Sequence, residues 1–177
     1  DSVGTVRDVK INYANTNRIL VGTTSDVYLT TDGGSNWTRQ TTGGTNKLPL
    51  SPGRCEVAIA PTNTNIMYAS ISQFSGEIWR TTDGGTTWTQ RGIATTANAY
   101  TNAFWVSPTN PDEILVGGTD NLLRNTNGGT GGYSVLSDWQ CFQNGRALTG
   151  CPGFSPHGDF HVIISHPAYN GSTNKTV

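Results

Sequence analysis

The chain has 177 residues, enough for one domain with a sizeable core. Charged residues make up 13% and the formal net charge is −1, which removes the electrostatic case for nucleic acid or an anionic membrane surface. Thr, Asn, Gly and Ser abound and no run of about 18 apolar residues occurs, which argues against a helical protein and against a transmembrane helix. The chain opens on Asp1 without Met or a basic leader, which reads as a processed or truncated polypeptide.

Taken in order, four segments open alike: Val9 to Val21, Glu56 to Tyr68, Ala103 to Val116, and Val162 to Pro167. Each begins as a short apolar strand and runs into a turn rich in Pro, Asn or Thr. In the first three a second strand follows, at 19–23, 66–71 and 114–118. A third comes at 27–30, 77–80 and 122–124, then a Gly-Gly turn, an aromatic and a short fourth strand. The unit recurs every 45 to 50 residues or so, and such a period decides the fold. Between units lie a Gly/Pro-rich excursion at 41–54, a shorter one at 95–101, and a long irregular stretch at 138–156.

The turns repeat most closely. Thr30-Thr31-Asp32-Gly33-Gly34-Ser35-Asn36-Trp37 has a near twin in Thr81-Thr82-Asp83-Gly84-Gly85-Thr86-Thr87-Trp88. A worn copy starts at Asn125-Thr126-Asn127-Gly128-Gly129 and reaches a tryptophan only at Trp139. Asp-Gly-Gly suits positions of positive φ, and the Asp carboxylate can accept N–H groups of its own turn. The tryptophan is the packing anchor, so Trp37, Trp88 and Trp139 are expected in the core.

These runs resemble the Asp-box, or BNR repeat, Ser/Thr-x-Asp-x-Gly-x-Thr-Trp. The second copy fits throughout, the first departs only at Asn36, and the third has Asn127 for Asp and seven extra residues before Trp139. The resemblance implies a β-propeller like those of sialidases, xyloglucanase-type glycoside hydrolases and sortilin-like receptors. It also implies that Asp32, Gly34, Trp37, Asp83, Gly85, Trp88, Asn127, Gly129 and Trp139 are architectural. The expected fold is therefore all-β, a propeller of four-stranded antiparallel blades. The blades span about 5–40, 53–91 and 101–140, followed by a loop at 141–156 and the first strand of a fourth blade at about 157–167. Three and a half blades would leave an open sheet edge. The missing blades are expected from a longer form of the same chain or from other copies. Sialidases of this kind carry three arginines and an Arg-Ile-Pro element. This chain has no Arg-Ile-Pro, and Thr101 and Phe160 replace Arg7 and Arg54 in the later blades.

Cys141 and Cys151 bracket a short loop containing Gly and Pro and are expected to form a disulfide; two free thiols, or partners elsewhere, are the alternatives. Cys55 reads as a small buried hydrophobe. Asn36, Asn170 and Asn174 head N-x-Ser/Thr sequons, candidate glycan sites on a eukaryotic secretory route. The compartment expected is extracellular or the cell surface.

His157-Gly158-Asp159-Phe160-His161 is the densest candidate for chemistry. On a strand, the period of two would put His157, Asp159 and His161 on one face near the propeller axis. Asp8, Cys55 and Asn102 align with His161 and would complete a ring. Two imidazoles and a carboxylate suit a divalent metal such as zinc, manganese or iron. They equally suit acid–base work, or plain hydrogen bonding to loop carbonyls. Glycosidase chemistry needs two carboxylates across a cleft, and only Asp8, Glu56 and Asp159 lie near inner-strand starts. Tyr100, Tyr133, Phe142 and Phe154 lie in or beside loops, where they could stack on sugars or clamp the loops. Trp79 and Trp105 read as packing. The function expected is a non-catalytic recognition or scaffold propeller with protein or glycan partners. The alternative is a portion of a xyloglucanase-type glycoside hydrolase acting on polysaccharide.

Overall fold

A computed structural model describes residues 4–73, 76–139 and 158–177. Among these, twelve strands form three four-stranded antiparallel sheets, each ordered as its strands follow in the chain. Sheet 1 holds β1 (Val6–Ile11), β2 (Ile19–Thr23), β3 (Val27–Thr30) and β4 (Thr38–Arg39). Sheet 2 holds β5 (Cys55–Ile59), β6 (Met67–Ile71), β7 (Glu77–Thr81) and β8 (Thr89–Ile93). Sheet 3 holds β9 (Ala103–Val106), β10 (Ile114–Gly117), β11 (Asn121–Asn125) and β12 (Ser134–Asp138). Sequential hairpins of β-branched and aromatic residues need only tight turns, and the whole fold follows from that economy. Among the described residues no helix is long and apolar enough to cross a membrane.

The first turn of each sheet closes in the same way. Asn12 N–H donates to Arg18 O at 3.0 Å, Ala60 to Ile66 at 2.9 Å, and Ser107 to Glu113 at 2.9 Å. This fixes a register that the sequence alignment misses by one residue in sheet 1. Asp8 stands opposite Gly22, as Glu56 stands opposite Ser70 and Ala103 opposite Gly117. Asp8 therefore corresponds to Glu56 and not to Cys55. The two turns that close these hairpins have equal length, so counting back from them gives this register, whereas aligning the apolar runs at Val9 and Glu56 is one residue out of step.

Neighbouring sheets meet at their inner strands, β1 and β2 on β5, and β5 on β9. The middle sheet is buried on both faces, so β5 and β6 are buried throughout and read as continuous apolar runs. Alternate residues serve the two interfaces. Val57, Ile59 and Met67 join Leu20, Leu29 and Trp88 between sheets 1 and 2. Ala58, Tyr68 and Ile78 join Phe104, Val106 and Ile114 between sheets 2 and 3. Each Val, Leu, Ile, Met or Phe among them contributes about 1.5–3 kcal/mol by leaving water. Among the described residues no sheet covers the outer face of sheet 1, and Val6, Val9 and Ile11 are exposed.

Residues 158–177 differ from expectation: no strand forms among them. The segment lies along sheet 3 instead, with Phe160 N–H on Gly118 O at 3.0 Å and Trp105 Nε1–H on Ser165 Oγ at 2.7 Å. It then folds back on itself, His166 N–H meeting Thr176 O at 3.0 Å, with the Tyr169 ring edge-on to Trp105. Strand pairing requires a ladder on at least one side, and Val162 and Ile164 instead project into solvent.

Candidate functional site

The Gly-Gly turns are built by their own side chains. In sheet 2, Thr81 Oγ1–H donates to Asp83 Oδ1 at 2.8 Å and accepts Gly85 N–H at 3.0 Å. Asp83 also accepts Thr87 N–H at 2.9 Å and Thr87 Oγ1–H at 2.6 Å. Asp32 does the same in sheet 1 with Thr30 and with the Asn36 backbone and side chain. The carboxyl of Asp32 is lowered to about 2, chiefly by the Asn36 backbone and side-chain bonds and then by Thr30. Slight burial raises Asp83, but bonds from Thr87 and Thr81 outweigh it and bring the carboxyl to about 2. Gly33, Gly34, Gly84 and Gly85 all have positive φ. In this way each turn satisfies its own backbone, and its two carboxylate oxygens are consumed in doing so.

The third turn reaches the same end by other atoms. Asn125 Oδ1 accepts both Gly129 N–H and Asn127 N–H at 2.8 Å, the part played by Thr81 Oγ1 in sheet 2. Its Nδ2 donates to Thr130 O and Gly132 O, each at 2.9 Å, which holds the longer loop. The ring that packs on the preceding sheet's core is Tyr133, not Trp139. Trp139 instead prolongs β12, its N–H on Asp120 O at 2.9 Å.

Trp37 is a second correction. Trp88 is 1% exposed, wedged between sheets 1 and 2 with its Nε1–H on Gln40 Oε1 at 3.1 Å. Trp37, at the same place in sheet 1, is 44% exposed. The anchor of each turn packs on the sheet before it, and among the described residues nothing precedes sheet 1. With Val6, Val21, Thr23 and Tyr28, Trp37 lines an open, almost wholly apolar cavity of about 280 Å³.

A polar cluster sits where the first strands meet. Arg54 holds Glu56 in a two-pronged ion pair, Nε and Nη2 at 2.9 and 2.8 Å from Oε1, and also donates to Tyr100 O. Asp8 takes Lys10 Nζ on one oxygen and Val57 N–H on the other, the latter at 3.0 Å. Ser70, paired across from Glu56, exchanges bonds with Asn102 at 2.7 and 3.0 Å. Burial, and then the charge of Asp8, push the Glu56 carboxyl up to about 7 against the pull of Arg54 and Lys10. The cluster thus contains a carboxyl poised to titrate near neutrality, shielded from solvent and hydrogen-bonded on the protein side.

The remaining sequence candidates fall as follows. His157, Cys141, Cys151, Phe142 and Phe154 lie outside the described residues. Asp159 has φ +64, which breaks the strand alternation that was to align it with His161. Its N–H donates to Thr119 O at 2.9 Å, while His161 meets the exposed Tyr100 ring edge-on, centroids 5.1 Å apart. Among the described residues no three His, Cys, Asp or Glu side chains converge as metal ligands. Cys55 is buried and unpaired, and burial pushes its thiol well up, so it is no nucleophile. Asn36 is exposed but its amide already serves Asp32. Asn170 and Asn174 hold the turn of the last segment, Asn170 Oδ1 accepting Asn174 N–H at 2.9 Å.

What sequence reasoning misses altogether is a set of arginines bridging the sheets. Arg18 donates to Gly84 O at 2.6 Å and to Asn65 Oδ1 at 3.2 Å. At the next joint Arg91 donates to Gly128 O at 3.2 Å and Arg80 to Asp112 Oδ1 at 2.5 Å. Asn65 O and Asp112 O in turn accept the N–H of Gly84 and Gly128. The only signal in the sequence is an Asn or Asp before each second strand, which means nothing until the turn is folded beside it.

No protein-family description matches the chain, and no curated protein matches it in sequence. Solved structures do resemble it. YCF48 from Cyanidioschyzon merolae is 15% identical with a TM-score of 0.60, over 80% of this chain and 43% of that one. A YCF48 structure bound to D1 peptide is 18% identical with a TM-score of 0.57, over 76% and 41%. The GH74 enzyme of Niastella koreensis is 21% identical with a TM-score of 0.55, over 78% and 19%. The chain thus spans less than half the length of each of these proteins. At these identities the likeness is one of fold, and with the sheets already described it makes this chain a partial β-propeller.

Proposed function

We propose that the chain is part of a larger, non-catalytic recognition or scaffold propeller, secreted or displayed at the cell surface, whose turns are Asp-boxes. The observation that carries this reading is the outer face of sheet 1. Its Trp37 and apolar strand residues are surfaced like a blade interface, yet lie open. Polar groups where the first strands meet are matched to one another, Asp8 to Lys10, Glu56 to Arg54 and Ser70 to Asn102, which braces the sheets as a rigid scaffold behind the loops that would meet a protein or glycan. The likeness to a YCF48 structure bound to D1 peptide supports a protein partner.

A second reading, a portion of a xyloglucanase-type hydrolase, is favoured by the matched register of Asp8 and Glu56 and the raised carboxyl of Glu56. The native polypeptide incubated with xyloglucan separates the two. Recognition predicts no release of reducing sugar and no difference on Glu56→Gln. Release that Glu56→Gln or Asp8→Asn abolishes would overturn it.

A further inference from the structure

Both joints between sheets share one design. The first glycine of a turn offers its carbonyl, and the Asn or Asp that accepts that glycine's N–H from below offers a side-chain oxygen. One or two arginines of the preceding sheet bind both. The contact is close: a Cβ on Gly84 would meet Arg18 Nη2 at 2.1 Å, and one on Gly128 would meet Arg80 Nη1 at 2.7 Å. Glycine is thus required there for approach of a guanidinium as well as for backbone conformation. Beside the arginine, the turn's aromatic lies on the preceding sheet, Trp88 against Gln40 and Leu29, Tyr133 against the core around Ile78.

Sheet 1 carries the receiving half of this joint. Asn17 O accepts Gly33 N–H at 2.9 Å, as Asn65 does for Gly84, and Asn17 Oδ1 lies 3.2 Å from where a Gly33 Cβ would be. Trp37 stands beside them, half exposed, on the apolar cavity with Val21 and Tyr28. Among the described residues no cation reaches Gly33 O or Asn17 Oδ1. We infer that Asn17, Gly33 and Trp37 form a socket for a further propeller blade, which inserts an arginine onto Gly33 O and Asn17 Oδ1 and covers Trp37 with an apolar strand face. This rests on the reading of the chain as part of a larger propeller and adds the chemistry of the blade that completes it. A guanidinium fits because two converging oxygens, one a carbonyl and one an amide, match its fork of donors without requiring a carboxylate.

The test extends the chain with a blade known to carry these arginines. A second copy of residues 53–102 is spliced ahead of Asp8, where the register of Ala103 matches. Trp37 emission, isolated by subtracting the Trp37→Phe variant, is then read in both chains. The expected result is a blue shift and loss of iodide quenching at Trp37, with a higher melting temperature. Arg80→Gln with Arg91→Gln in the added copy alone should reverse the gain in melting temperature. A folded, protease-resistant added sheet that leaves Trp37 as quenchable as before overturns the socket, as does indifference to the two arginines. If the added copy does not fold, Arg18→Gln in the original chain decides: unchanged melting and an unchanged Trp88 signal would remove the premise. These outcomes are independent of xyloglucan hydrolysis, so the socket and the functional reading can fail separately.

Discussion

Trp88 and Trp37 occupy the same place in two copies of one motif, yet truncating them should have very different costs. A fully buried tryptophan removes about 150–250 Å² from water, worth about 4–6 kcal/mol at 25 cal/mol per Å². Mutational series place Trp→Ala in a core at about 3–5 kcal/mol, because part of the cavity relaxes. Trp88 is 1% exposed and sits between Leu29, Leu48 and Met67, so Trp88→Ala should fall in that range. It also strands Gln40 Oε1, which the indole N–H satisfies at 3.1 Å. Trp37 keeps 44% of its surface in water and touches one sheet only, so Trp37→Ala should cost about 2 kcal/mol or less. For a chain of this size each kcal/mol moves the melting temperature by about 2–4 °C, giving a fall of about 6–20 °C for Trp88 and a few degrees for Trp37. Melting followed by near-ultraviolet circular dichroism reads both. Equal losses at the two sites, or a Trp88→Ala loss under about 1 kcal/mol, would refute the assignment of the ring to the sheet that precedes it.

Three further outcomes follow from the same contacts. The folded-state carboxyl of Asp83 lies near 2, below its ordinary value of 3.8. Its contribution is therefore present above about pH 4 and lost as pH falls toward 2. Melting should drop across that window, and Asp83→Ala should lower it at neutral pH and flatten the dependence. Glu56 has the opposite sign: its carboxyl rises from 4.5 to about 7, so its contribution is full below pH 4.5 and lost as pH climbs through 7. Stability should decline by up to about 3 kcal/mol between those limits, and Glu56→Gln should remove the decline; a melting temperature that rises from pH 5 to 8 in the parent and not in Glu56→Gln would show the sign to be wrong. Gly85 has φ +95 and lies against Leu29, so Gly85→Ala should cost roughly 1–3 kcal/mol, measured by urea unfolding. A neutral effect would mean that the turn relaxes freely.

The architecture was legible because it is local and repeated. An apolar run, an Asn/Thr turn, a second run and an Asp-Gly-Gly turn name a hairpin chain without any knowledge of tertiary contacts. The misreadings all arise where the outcome depends on a neighbour. Apolar runs match Asp8 to Cys55, while the hydrogen bonds that close the first turns match it to Glu56, and those bonds leave no mark in hydrophobicity. The motif's tryptophan points to Trp139 as the third anchor, whereas Tyr133 fills the place once Asn125 tightens the loop. The motif places Trp37 in the core, but its burial depends on a sheet that must cover it and that the motif does not specify. The period of two puts Asp159 on a strand face, but the backbone turns left-handed at that residue and no strand forms. The arginine bridges were invisible since Arg18 and Gly84 are 66 residues apart, and no period or spacing joins them.

That sheet 1 is an interior joint of a larger ring is tested most directly by the mass and oligomeric state of the native polypeptide from its source. The chain described accounts for 18.9 kDa. The predicted result is a particle well above that mass in which Trp37 is protected from quenching. A monomeric particle of 18.9 kDa with Trp37 open to iodide would contradict it.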